Sequence, residues 1–209
     1  GLDEAAYSAL VGLAAAAGVD SIGALGSTGS YAYLSRAERA LAANLAVQAA
    51  NGVPVIVGVG ALRTRDVLDH VEDAQNAGAA GVLLAPMTYQ PLSDDEVFGL
   101  YEEVTALVSV PLVVYDNPDT THVHFSDELH GRIAQLTAVA SIKIPAVSSN
   151  MEKARGRVAR LRATIPEHVT IGISGDSAPE RRFNYRYQTA PTQSTALRED
   201  GFENGQQPS

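Results

Sequence analysis

The sequence predicts an α/β fold, an incomplete (β/α)8 barrel of the TIM type, on three observations: six short β-branched runs recur along it, their starts are evenly spaced, and helix start and stop signals fill the intervals. The runs begin at Asp20, Val53, Gly81, Val110, Val139 and Val169, so successive starts differ by 33, 28, 29, 29 and 30 residues. They are continuously apolar rather than alternating, which calls for burial on both faces, as in a parallel sheet wrapped by helices. An open doubly wound sheet would meet the same demand, but a near-constant period favours the barrel.

The elements follow in order. LDEAAYSALVGLAAAAG reads as a helix whose exit is Gly18, a residue free to turn left-handed, and no strand precedes it. DSIGAL is the first strand, and GSTGS follows it. Ser35 and Glu38 form a capping box that opens the next helix, and Gly52 releases that helix into VPVIVGVG. Gly78 closes the helix before GVLLAP. Ser93 with Glu96 opens the helix that leads to VPLVVYD, VASIKIP follows, and Ser149 with Glu152 opens a helix before VTIGISG. Beyond Glu180 the segment RRFNYRYQTAPTQSTALREDGFENGQQPS sustains neither a strand nor a helix period. The expected organisation is therefore residues 1–180 as a partial barrel with six of eight strands, and residues 181–209 as an irregular or disordered tail. A full barrel typically needs about 250 residues, more than the 209 here.

Composition excludes several function classes. Forty-five per cent of the residues are hydrophobic, enough for a real core, and the formal net charge of −9 would repel phosphate backbones. No basic stripe with interleaved aromatics offsets that repulsion, so nucleic acid is not an expected partner. There is no cysteine, hence no disulfide, thiolate nucleophile or sulfur ligand, which fits a reducing compartment and a cytoplasmic expectation. No apolar run is long enough for a membrane helix, so no membrane partner is expected.

Chemistry is expected at the carboxyl ends of the strands, where the following loops converge. Those ends read GSTGS, APMTYQP, YDNPDTT, IKIP and SGDS. The sharpest residue is Lys143, set within an apolar strand. Desolvation favours an uncharged amine, which can add to a carbonyl and form a Schiff base, although a lysine snorkelling from a strand end or paired with a carboxylate would look the same. Tyr115 ends the preceding strand, where a phenol could shuttle protons or simply cap the core. In GSTGS, Gly26 and Gly29 let backbone amides approach an anion and Ser27 and Thr28 offer hydroxyls; the alternative is an ordinary turn. Gly175 and Asp176 could contact a polar substrate or merely cap a helix.

Taken together, G-S-T-G at 26 to 29, L-S-x-x-E-R from Leu34 to Arg39, Y-D-N-P at 115 to 118, I-K at 142 and 143 and S-G-D at 174 to 176 resemble the dihydrodipicolinate synthase and N-acetylneuraminate lyase family of pyruvate-dependent class I aldolases. The resemblance runs from about Leu2 to Glu180. It implies a (β/α)8 barrel, a homo-oligomer (dimer or tetramer), and no cofactor beyond the protein's own lysine. It also implies site roles: Lys143 forms an imine with pyruvate or another 2-oxo acid, Tyr115 relays protons with Ser27 at the hydroxyl position of the relay, and Thr28, Gly29 and neighbouring amides hold the substrate carboxylate. The chain departs from the family's pattern at several places. Met87 and Thr88 stand where dihydrodipicolinate-forming members usually carry a tyrosine pair, with Tyr89 one residue off. Thr120 stands where an arginine usually grips the second substrate's carboxylate, and Asp116 replaces a common asparagine. The first two changes argue against aspartate semialdehyde as the second reactant. A final βα unit after S-G-D-S is not recognisable, and a six-stranded remnant would leave open edges and an exposed inner face.

Other patterns are weaker. His122 and His124 form an H-x-H without further ligands at matching spacing, so no metal site is expected. GVGALR at 58 to 63 lacks the third glycine of a dinucleotide fingerprint, and Ser27 and Ser174 have neither a nucleophile elbow nor a histidine partner nearby. The sequence therefore points to a Schiff-base lyase or aldolase acting on a 2-oxo acid; the alternative is a catalytically silent relative that binds an oxo acid or acts through assembly.

Overall fold

The computed structural model describes residues 1–147 and 150–174. Ser149, Gly175, Asp176 and the expected tail lie outside them. Within them, all six expected runs form strands: β1 (Ile22–Ala24), β2 (Val55–Gly58), β3 (Gly81–Leu84), β4 (Leu112–Tyr115), β5 (Val139–Ile144) and β6 (Thr170–Ile173). They make one parallel sheet in the order β1-β2-β3-β4-β5-β6, each strand beside its successor, which is the arrangement that one helical crossover per strand produces.

Helix α1 (Glu4–Ala16) precedes β1, and the crossovers are α2 (Arg36–Ala49), α3 (Thr64–Asn76), α4 (Asp94–Thr105), a short α5 (Pro118–Thr121) with α6 (Asp127–Ile133), and α7 (Met151–Arg162). The capping boxes at Ser35 and Ser93 are present in full, each hydroxyl accepting from the amide three residues on while the glutamate reaches back. Helix α7 is capped by Asn150, whose side chain accepts from the Lys153 amide. Gly18, Gly52 and Gly78 take positive φ of 75°, 86° and 85° at the helix exits, as the sequence predicts. At the end of α2 the turn uses two such residues, since Asn51 is also left-handed.

The core separates into two clusters because strand side chains alternate between faces. Toward the helices, Ile22, Val57, Leu84, Leu112, Val114, Ile142 and Ile144 are buried in the main core. On the opposite face Leu83, Ala85, Val113 and Tyr115 form a second cluster with Ile56. The sheet curls around this second face. Ser21, Pro54, Ala80, Pro111, Ala140 and Thr170, each at or beside the start of a different strand, line one cleft at the amino-terminal ends. Most of the lining of that cleft is apolar, it lies at the opposite end of the strands from the expected chemistry, and Asp20 is the sole charged residue among its described lining. Among the described residues no helix is long and apolar enough to cross a membrane.

Candidate active site at the carboxyl ends of the strands

Tyr115 and Lys143 face each other across the β4–β5 pair, and their meeting depends on an irregularity. In β5 the pairing shifts by one residue, so that Leu112 lies opposite Val139 but Val113 lies opposite Ser141. Strict alternation from Val139, which is buried toward the helices, would send Lys143 to the helix side as well. The extra residue reverses that: Ala140 and Ser141 both line the interior cleft, and from there Lys143 falls on the inner face as the register partner of Tyr115. The Lys143 Nζ stands 4.5 Å from the centroid of the Tyr115 ring. Lysine is half-buried here rather than sealed in the strand, because the inner face of the curled sheet leaves its head group room above the ring.

The GSTG segment enters from β1 through Leu25, a bulky residue held left-handed at φ 57°. Its carbonyl oxygen occupies the space a side chain on Gly58 would need: a Cβ there would lie 2.0 Å from it. Ser27–Gly29 then forms a single 3-10 turn, closed by the Gly29 amide on Gly26 O at 2.9 Å and the Ser30 amide on Ser27 O at 3.1 Å. The amides of Ser27 and Thr28 have no hydrogen-bond partner among the described residues. Thr28 and Gly29 are exposed and Ser27 half-buried, so the turn presents two free N–H donors and two hydroxyls to the rim.

Ser27 and Tyr115 are joined through a third residue. The Asn117 Nδ2 lies 3.0 Å from Ser27 Oγ, 3.1 Å from Tyr115 Oη and 3.0 Å from Thr120 Oγ1. Among the described residues no direct hydrogen bond links the two hydroxyls. After β6, the Ser174 amide donates to Ile144 O, while its buried hydroxyl has no partner among the described residues. Thus the structure brings Lys143, Tyr115 and Ser27 to one rim with Thr28 and Gly29 on the same turn; Gly175 and Asp176 lie outside the described residues.

Two charged groups support this rim from beneath. Arg39 of α2 is 5% exposed; its guanidinium donates to Gly58 O and Gly60 O and lies 4.9 Å from the Tyr31 ring centroid. Burial pulls the Arg39 guanidinium down to about 10, and burial likewise pushes the Tyr31 phenol up, partly opposed by Arg39. Behind Tyr115, Asp116 points toward the helices, its Oδ2 3.4 Å from the Nε2 of the fully buried His130. Burial pushes the Asp116 carboxyl up to about 6 despite Arg157 and His124, and burial pulls the His130 imidazole down to about 4. With those values the contact is never chiefly a carboxylate against an imidazolium: at neutral pH the imidazole is uncharged. The Asp116 amide also donates to Lys143 O at 3.0 Å, tying the two rim strands together.

Sequence reasoning passed over Asn117, Arg39 and the Asp116–His130 contact. Asn117 stood within the quoted Y-D-N-P motif, where an asparagine before a proline signals a turn or helix cap. His122 and His124 are both exposed, at the end of α5 and in the loop beyond it. Among the described residues no three His, Asp or Glu side chains converge as metal ligands would. Tyr89 is 89% exposed.

Residues 1–176 match the model of the Dihydrodipicolinate synthetase family. A 4-hydroxy-tetrahydrodipicolinate synthase of Hyphomonas neptunium is 35% identical over 143 residues, 68% of this chain and 49% of that protein. A synthase of the same name from Anaplasma marginale is 31% identical over 176 residues, 84% of this chain and 56% of that protein. The chain thus spans about half the length of these relatives. Among solved structures, dihydrodipicolinate synthase from Agrobacterium tumefaciens superposes with a TM-score of 0.79 at 41% identity, covering 83% of this chain and 58% of that one. YagE, a prophage protein from E. coli solved in complex with pyruvate, superposes with a TM-score of 0.72 at 27% identity, covering 82% of this chain and 58% of that one.

Proposed function

The chain belongs to the dihydrodipicolinate synthetase family, and from that premise we propose that it is a class I lyase or aldolase that binds pyruvate or another 2-oxo acid as a Schiff base on Lys143. The observation that carries this is the pairing of Lys143 with Tyr115 in adjacent strands, with the amine 4.5 Å from the ring centroid and Ser27 tied to the same phenol through Asn117. The neutral amine adds to the carbonyl carbon of the oxo acid, and water leaves as the imine forms. The imine then accepts the electron pair when the neighbouring carbon loses a proton or a carbon–carbon bond breaks. Tyr115, with Ser27, passes protons to and from the carbonyl oxygen and the partner's hydroxyl. The amides of Ser27 and Thr28, with the Thr28 hydroxyl and the open approach at Gly29, hold the substrate carboxylate. Gly175 and Asp176 belong to the proposed site on the same resemblance, as contacts for polar groups of the substrate.

The six described strands are, in this proposal, the greater part of an incomplete (β/α)8 barrel over residues 1–180, a boundary close to residue 176, where the family match ends; residues 181–209 lie outside the described residues. The protein would act in the cytoplasm as a homo-oligomer, dimer or tetramer. Thr120 and the Met87–Thr88 pair speak against aspartate semialdehyde as the second reactant.

The test is chemical. Pyruvate with borohydride should reduce the imine to a stable secondary amine, adding the mass of the reduced three-carbon acid to the peptide that contains Lys143. Lys143→Arg should abolish the adduct. Absence of any adduct with a panel of 2-oxo acids would refute the proposal.

A further inference from the structure

Asn117 has an assigned place in helix-start chemistry and does not take it. An asparagine at an N-cap normally turns its side-chain oxygen onto an amide of the first turn. As the N-cap of α5, Asn117 makes no such bond; its backbone carbonyl accepts from the Thr120 and Thr121 amides instead, and the side chain is released toward the rim. There one amide nitrogen meets three hydroxyl oxygens at 3.0 to 3.1 Å, from the β1 loop, the end of β4 and α5. Two N–H bonds cannot serve three acceptors with straight geometry, so one N–H is shared between two of them.

The consequence lies in what the hydroxyls keep. Ser27 and Tyr115 each accept from the carboxamide, so neither spends its own hydrogen on the other, and both O–H groups remain free to donate to a substrate oxygen. A donated bond to the phenol oxygen also strengthens as that oxygen gains negative charge during proton transfer. We propose that Asn117 is a positioning residue that holds the Ser27 and Tyr115 oxygens side by side with both O–H hydrogens left for the substrate, so that each hydroxyl exchanges its proton with the substrate and not with the other. The proposal rests on the imine reading of Lys143.

The experiment separates the two. In D2O an imine that loses and regains a proton exchanges the methyl hydrogens of pyruvate, which NMR follows without any second substrate; borohydride trapping at Lys143 reports imine formation alone. Asn117→Val should trap pyruvate as the parent does, with an unchanged half-saturating concentration, while its exchange rate falls by about a hundredfold, the low end of what a positioned acid–base group or a hydrogen bond to a developing anion supplies. Asn117→Asp, which fits the same space but offers no N–H, should lose a similar factor and stands in if the valine variant misfolds. In a Tyr115→Phe background, followed over longer incubation, Asn117→Val should cost nothing further. Exchange within twofold of the parent in both variants, or the full loss multiplying onto Tyr115→Phe, would overturn the role of Asn117 and leave the imine intact. A parent protein that traps no pyruvate would overturn the imine reading and this inference with it.

Discussion

Replacing Asp116 with asparagine should stabilise the protein at pH 8 and leave its stability almost unchanged at pH 4. In the folded chain burial raises the Asp116 carboxyl to about 6 from an ordinary 3.8. A group raised in this way favours folding below its unfolded value, and that contribution is lost as pH rises through its folded one. Between those values the native state holds a proton that the unfolded state has released; above about 6 the carboxylate sits ionised in a buried site. At 1.36 kcal/mol per pKa unit the difference sets a ceiling of about 3 kcal/mol, and solvent reaching the rim reduces the expected gain to about 1 to 2 kcal/mol. The amide carries no charge to desolvate, and its N–H can donate to the neutral His130 Nε2, which has no hydrogen-bond partner among the described residues of the parent. Urea unfolding of parent and Asp116→Asn at half-unit intervals from pH 4 to 8 measures the gap directly, since the acid limb of His130 is common to both and cancels. The gap should open between pH 4 and 6 and then level off. A gap independent of pH, or one that favours the parent above pH 6, would refute the argument from burial.

Three further outcomes follow from the same contacts. His130, lowered to about 4 from 6.5 by burial, contributes stability that is present above 6.5 and lost as pH falls toward 4, so His130→Leu should flatten the parent's acid-side loss in the same titration by up to about 3 kcal/mol. Arg39→Met leaves Gly58 O and Gly60 O without their donors and should cost about 2 to 4 kcal/mol in urea unfolding, with lysine a poor substitute because one ammonium cannot reproduce the fork. Gly58→Ala drives a Cβ toward the Leu25 carbonyl and should lower the thermal midpoint by an amount equivalent to about 3 kcal/mol or more while also weakening pyruvate trapping; a midpoint within a degree of the parent would count against the crowding.

Much of the architecture was legible because it is written locally. The β-branched runs, the serine–glutamate boxes at Ser35 and Ser93 and the exit glycines each act within a few residues, and the sheet order follows from their repetition. The interval between β4 and β5 was harder, since the short helices α5 and α6 lack long periodic faces. Arg39 shares a helix with the exposed Arg36, and nothing in the local pattern reveals that strand-end carbonyls will bury one and not the other. Asn117 reads as a cap because its actual partner Ser27 lies 90 positions away in the chain. The contact of Asp116 with His130 likewise joins residues with no shared local signal. Lys143 stood out as a cation among apolar neighbours; how far it is buried depended on the curl of the sheet, which no strand specifies alone.

The surplus residue in β5 means that the amine's placement is a matter of parity rather than shape. An insertion or loss anywhere between Val139 and Ile142 would exchange odd for even, carrying the lysine through the wall while every strand still formed. Such a protein could look native by spectroscopy or melting and yet be chemically mute. Indels in that short window are accordingly a sign of lost catalysis as searching as replacement of Lys143 itself.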